Sequence, residues 1–286
     1  MNTRTNAIGT LCISLMLIAS CSVFAQSYKV DWNSVNSGGG MMSGGGYGIN
    51  GTVGQPAAGF TKNTSFLHWI GFWAGEVPTP VVVPTIAAAK LLADRTFTCV
   101  SGKIATSTEG DFSGSFYLEE SNRSSGIRVA FPIGAVSGLV RGKSVVSVLG
   151  SMGTTSAGER QITACIIVIT STNPLAIGSL GMNNRTLGGG NLGIPPLGQY
   201  GVLGGTGLNN VGLLVTTWGR VTATGGGYAV IDDGSGTPVR LDTSTLADPP
   251  EVSDYISVIG ISSLYKPGAD RLRLVLPRTD LDISGY

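Results

Sequence analysis

The chain has 286 residues, enough for two domains or three small ones, and carries 44 Gly and 13 Pro against only 12% charged residues. That composition excludes a helical bundle, while a hydrophobic content of 42% excludes a wholly disordered chain. A formal charge of +1 gives no global field to attract nucleic acid or an anionic membrane, and so disfavours nonspecific binding to either.

Residues 1–25 read as an export signal, with Arg4 ahead of an apolar run, "LCISLMLIAS", too short for an ordinary membrane span. Cleavage after Ala25 fits the small-residue rule, but "IAS" before Cys21 also resembles a bacterial lipobox, which would leave a lipid on Cys21. Secreted, periplasmic, surface and lipid-tethered destinations therefore stay open. Removing the signal takes only Arg4 from the charged residues and leaves 17 basic and 17 acidic side chains. Export permits a disulfide between Cys99 and Cys165, and two buried thiols are an equal alternative. No later segment reaches membrane-spanning length.

Residues 26–75 form a Gly-rich stretch, but Tyr28, Trp32, Tyr47, Phe66, Trp69, Phe72 and Trp73 recur between the glycines. Flexible linkers do not carry such aromatics, so short strands joined by Gly turns are expected. "SGGGYGINGTVGQPAAG…GFW" resembles a Gly-rich module of exported proteins from several environmental bacterial phyla, a resemblance that implies surface export and no particular chemistry. Residues 76–84, "EVPTPVVVP", are a Pro-rich spacer and the clearest domain boundary.

Beyond the spacer, "TIAAAKLLADRT" predicts a short helical turn. Five strand-like runs follow within 85–171, and five more within 212–283. The two sets match in order. With Gly102 set on Gly219, "SGKIATS" meets "WGRVTAT" and "YLEESNRSSGIRVAF" meets "VIDDGSGTPVRL". "KSVVSVLGSM" then meets "YISVIGISSL", and "GERQITACIIVI" meets "ADRLRLVLPRTDLDI". Internal repetition of this kind predicts two copies of one five-stranded unit. The forty residues between them, 172–211, carry enough leucine and isoleucine to pack on one or both copies.

The repeated unit resembles the OB-fold domains of exported bacterial proteins, some of them joined to nucleases. The residues that carry the likeness are "VSGKIATS", "GSFYLEESNRSSGIRV" and "SVVSVLG" in the first copy, and "WGRVTAT", "YAVIDDGSGTPVRL" and "ISVIGIS" in the second. The resemblance implies an all-β chain: two tandem five-stranded OB-like barrels after a small Gly-rich β module.

Catalysis finds little support in the residues. The one His, His68, lies in the Gly-rich module, and no CxxC, HExxH, P-loop or complete Ca²⁺ loop occurs. Neither a metal nor a cofactor is expected. Glu119 and Glu120 are adjacent, so strand alternation sends them to opposite faces rather than across a cleft. Asp232 and Asp233 repeat them in the second copy, which reads as hairpin-entry chemistry and makes Arg123 and the neighbouring serines dispensable. Alternation points Phe116, Leu118, Ile127, Val129 and Phe131 inward. Lys103, Tyr117 and Arg128 then face outward on the surface that OB folds use for ligands, with Trp218, Arg220 and Tyr228 as their counterparts. An aromatic ring beside Arg suits stacking on a base or a sugar; a domain contact or an ordinary wet face is the plainer reading.

The sequence thus predicts an exported, non-catalytic binding protein for an extracellular polymer, glycan or oligonucleotide. A structural or protein-docking component of the cell envelope is the alternative, and a nucleic-acid-binding accessory to a secreted nuclease is a third reading.

Overall fold

The structure, a computed structural model, describes the backbone of residues 38–44, 47–53, 59–62 and 67–70, and residues 79–285 apart from 133. The signal segment, Cys21 and the side chains of the Gly-rich module, His68 included, lie outside the described residues. The chain is nearly all β, with 46% strand and 5% helix. Among the described residues no helix is long and apolar enough to cross a membrane.

In the Gly-rich module, β1 (Gly38–Gly44) and β2 (Tyr47–Val53) form an antiparallel hairpin, and β3 (Gly59–Lys62) pairs with β4 (Leu67–Ile70).

The first barrel is preceded by β5 (Val81–Val83) and the one-turn helix α1 (Ile86–Lys90). Its wall is β6 (Phe97–Ala105), β7 (Ser115–Glu119), β8 (Gly126–Ala130), β9 (Ser144–Thr154) and β10 (Arg160–Thr172). The order runs β6-β7-β8-β10-β9 and closes by a β9–β6 pairing, with β8 and β10 parallel. Alternation dictates the core. Phe116, Leu118, Ile127, Val129 and Phe131 all point inward and pack with Val100, Val146, Val148, Met152 and Ile162.

The connection carries β11 (Leu180–Gly181) and the hairpin β12 (Leu192–Ile194)–β13 (Leu197–Gln199). The second barrel is β14 (Leu214–Gly225), β15 (Tyr228–Asp232), β16 (Val239–Asp242), β17 (Tyr255–Tyr265) and β18 (Leu272–Leu276), flanked by β19 (Ile283–Gly285). It repeats the same ring, β14-β15-β16-β18-β17, closed by β17–β14 and with the third and fifth strands parallel. Both rings are OB-like, each closed on itself so that its wall strands pair on both sides.

The register refines the internal match. Leu118 pairs with Ile127 as Ile231 pairs with Val239, so the second hairpin aligns as the residues suggested. The first strand does not: Lys103 stands opposite Val146 where Gly219 stands opposite Ile256, and Gly102 is an extra, bulged residue at φ +69. In the fourth strand the true equivalent of Gly150 is Gly260, two residues from the Ser262 that block matching assigns. Gly150 faces Thr98 and Gly260 faces the corresponding Val215. Both glycines sit where another strand crosses closely. A Cβ on Gly150 would meet Ala164 Cα at 2.8 Å, and one on Gly260 would meet Val275 Cγ1 at 2.6 Å.

No disulfide joins Cys99 to Cys165, which corrects that reading. Cys99 faces Leu149 from one side of β9, and Cys165 sits in a bulge of β10 on the other. Two strand spacings, about 9–10 Å, exceed the roughly 7 Å that a disulfide bridges. Both side chains are only half-buried; Cys99 Sγ lies 3.5 Å from Ser101 Oγ, and Cys165 donates to the Leu149 carbonyl at 3.3 Å.

Candidate functional site

The acid pair of the first barrel does more than enter a turn. Glu120 accepts the Ile86 N–H at 2.6 Å and the Lys103 ammonium at 2.8 Å, which pins the first turn of α1 to the barrel. Lys103 also donates to the Pro84 carbonyl at 2.8 Å and is 6% exposed, so its expected outward position is wrong. Its long side chain is spent on anchoring the segment that enters the barrel. Glu119, fully buried, accepts the backbone N–H of Leu214 at the start of the second barrel. It also accepts the Arg123 Nε at 2.6 Å, and Arg123 in turn donates to the carbonyls of Gly178 and Leu214. Arg123 is therefore a tie between barrel, connection and barrel. In the second barrel the matching acids do serve their own turn, Asp232 accepting from Gly234 and Gly236 and Asp233 from Ser235, and Asp233 also accepts the Asn184 N–H of the connection at 2.9 Å.

Tyr117 faces away from the core of its own barrel, as alternation requires, yet it is only 1% exposed. Its ring packs with Leu214 and Ile261 of the second barrel, and its hydroxyl donates to Glu159 Oε2 at 3.2 Å. Ser263 of the second barrel donates to the same oxygen at 2.8 Å. Lys90 reaches the Val211 carbonyl at 2.7 Å, just ahead of β14. Burial pushes the Lys90 ammonium down to about 7, against the opposing pull of Glu159. Burial likewise raises Glu159, Glu119 and Tyr117, with hydrogen bonds and neighbouring cations working against it for the two carboxylates. Glu159 Oε1 has no hydrogen-bond partner among the described residues. These groups have the shifted pKa values of a reactive site, but they are sealed between two domains.

Arg128, half-buried, donates to Gln161 on the neighbouring strand. The outward surface that the sequence offers for ligands on the first barrel is thus a domain contact at Tyr117 and an anchor at Lys103.

The second barrel keeps its outer wall open. Trp218 is 49% exposed, and Tyr255, on the adjoining strand β17, is 58% exposed. Arg220 pairs across the strands with Tyr255, and Trp218 with Ser257. Together Trp218, Gly219, Tyr255, Ile256 and Ser257 line an open groove of about 320 Å³. Arg220 is exposed and donates to Ser253 Oγ at 3.0 Å. Tyr228 is not part of this cluster. It lies on the other side of β14, half-buried, with the Arg240 guanidinium 3.9 Å from its ring centre.

Of the six expected contact residues, the structure brings Tyr117 and Arg128 together as cross-strand partners, with the Tyr117 ring closed off by the second barrel, and keeps Trp218 and Arg220 together on an open face. The residue sequence reasoning missed is Tyr255. Its signal was present, since Ile256 and Val258 are the inward residues of β17 and Tyr255 must then face out with Ser257. No protein-family model matches the chain, and no curated protein matches it significantly in sequence.

Proposed function

We propose that the chain is an exported, non-catalytic binding protein whose second barrel holds an extracellular polymer through the Trp218–Tyr255 face. The observation that carries this reading is the pair of large, half-exposed aromatic rings on neighbouring strands at one open groove. A hydrophobic ring left in water on a strand otherwise patterned inward-apolar and outward-polar has no packing role. Its natural use is to stack on a flat ligand. The first barrel, with its outer face occupied, then serves as a rigid support.

The test is a binding screen of the full chain against soluble glycans and single-stranded oligonucleotides at two salt concentrations, with Trp218→Ala beside the wild type. Polymer binding that Trp218→Ala weakens supports the reading; no binding to any polymer sinks it. A second reading, an envelope spacer that docks other proteins, is favoured by the buried tie between the barrels through Glu119, Arg123 and Glu159. It predicts protein partners in a pull-down that survive Trp218→Ala.

A further inference from the structure

The binding face continues beyond the aromatic pair. The Trp218–Tyr255 groove shares Ile256 with a second groove of about 390 Å³, lined by Asp254, Asp280 and the turn Asp248–Glu251. That turn is the common wall with a third groove of about 590 Å³, which runs to the Gly225–Tyr228 hairpin. Three open depressions, each sharing lining residues with the next, follow one another on the second barrel along the seam of its first and fourth strands and about the loop that joins the third to the fourth, and we take them together as one track.

Two properties of the track select its occupant. Its length along shared walls suits a chain rather than a compact small molecule, because a compact ligand would need one enclosed pocket. Its charge has one sign. Asp248, Glu251, Asp254 and Asp280 line the second and third grooves, and among the described residues no Lys or Arg does. Arg220 stands at the aromatic end, already donating to Ser253. A polyanion laid along this path would gain one cation and face four carboxylates, a balance opposite to that of nucleic-acid sites.

We infer that the track binds a polysaccharide strand free of acidic groups, with sugar faces on Trp218 and Tyr255 and hydroxyl or amine donors on the carboxylates. This rests on the binding-face reading above and narrows it to one class of polymer. Carboxylates that accept from sugar hydroxyls or ammonium groups act as charge-assisted acceptors. Asp248 and Glu251 are exposed, and among the described residues neither carboxylate accepts a hydrogen bond, so both are available to do so.

The experiment is isothermal titration calorimetry of the full chain with four ligands of matched length: a glucosamine oligomer, an N-acetylglucosamine oligomer, an oligouronate and an oligothymidylate. Both amino-sugar oligomers are expected to bind, the glucosamine oligomer more tightly at low salt. Trp218→Ala should weaken both about tenfold. The double variant Asp248→Asn/Glu251→Gln should weaken the glucosamine oligomer by about tenfold and close the gap between the two. Tighter binding of the oligouronate or the oligothymidylate, still lost in Trp218→Ala, overturns the assignment to non-acidic glycans and leaves the binding face standing. Glucosamine binding that ignores Trp218→Ala overturns it as mere ion pairing. No binding by any of the four overturns both readings.

Discussion

The two barrels share strand order, closure and inward residues, yet they treat the same outer wall in opposite ways. In the first, Tyr117 and Glu119 leave their own core only to enter the boundary with the second barrel. In the second, the matching Val230 and Asp232 stay at the surface of their own hairpin, and the neighbouring strand seam exposes Trp218 and Tyr255. A repeated fold therefore fixes which side chains build the core. What the wall does depends on the neighbour that covers it.

The contrast can be broken most forcefully at Glu119. Glu119→Ala removes the partner of Arg123 and of the Leu214 N–H, and should cost about 3–5 kcal/mol in urea unfolding; Asp232→Ala, at the matching but half-exposed position, should cost about 1 kcal/mol. Equal losses would erase the distinction between the barrels.

Lys90 gives the next largest effect. Its folded pKa of about 7 lies below its ordinary 10.5, so between those values the unfolded chain holds a proton that the folded chain does not. Unfolding free energy then rises with pH across that window, by about 4 kcal/mol between pH 7 and 10, and Lys90→Met flattens the rise. Glu159 and Glu119 act in the opposite sense. Burial raises both pKa values, so their contribution to stability falls as pH climbs from 4.5 through the folded values. Tyr117 adds a further fall only above 10.0. A profile flat from 7 to 10 would remove Lys90 from the sealed boundary.

Gly150→Ala and Gly260→Ala sharpen the repeat itself. Each should cost about 1–3 kcal/mol by overpacking at the same strand crossing, and a tolerated Gly260→Ala would undo their equivalence. Smallest in stability is Trp218→Ala, expected within about 0.5 kcal/mol of wild type because the ring stands half in water.

Much of this was legible in the residues. Strand count, ring composition and the inward set around Phe116 and Ile127 follow from period-two alternation and Gly punctuation, both of which are local. Register was not. A slip of two residues, as between Gly150 and Gly260, keeps every side chain on its face and leaves the apolar match intact. The bulge at Gly102 leaves no apolar signature either. Nor could alternation distinguish water from a second domain outside Tyr117, because both lie on the side away from the core. The backbone partners of Glu119 and Glu120 are distant in the chain, Leu214 and Ile86, and nothing beside the acids names them. Arg123 looked expendable because its counterpart turn is shorter, whereas its reach to Gly178 and Leu214 exists only in three dimensions.

The most direct test pairs Tyr117→Ala with Trp218→Ala in the full chain, each measured for its urea midpoint and its affinity for the glucosamine oligomer. Tyr117→Ala should lower the midpoint, losing about 3–5 kcal/mol, while the protein that remains folded binds as wild type does. Trp218→Ala should keep the midpoint and lose affinity about tenfold. A Tyr117→Ala protein with an unchanged midpoint and lost affinity would place the ligand on the first barrel and contradict the account.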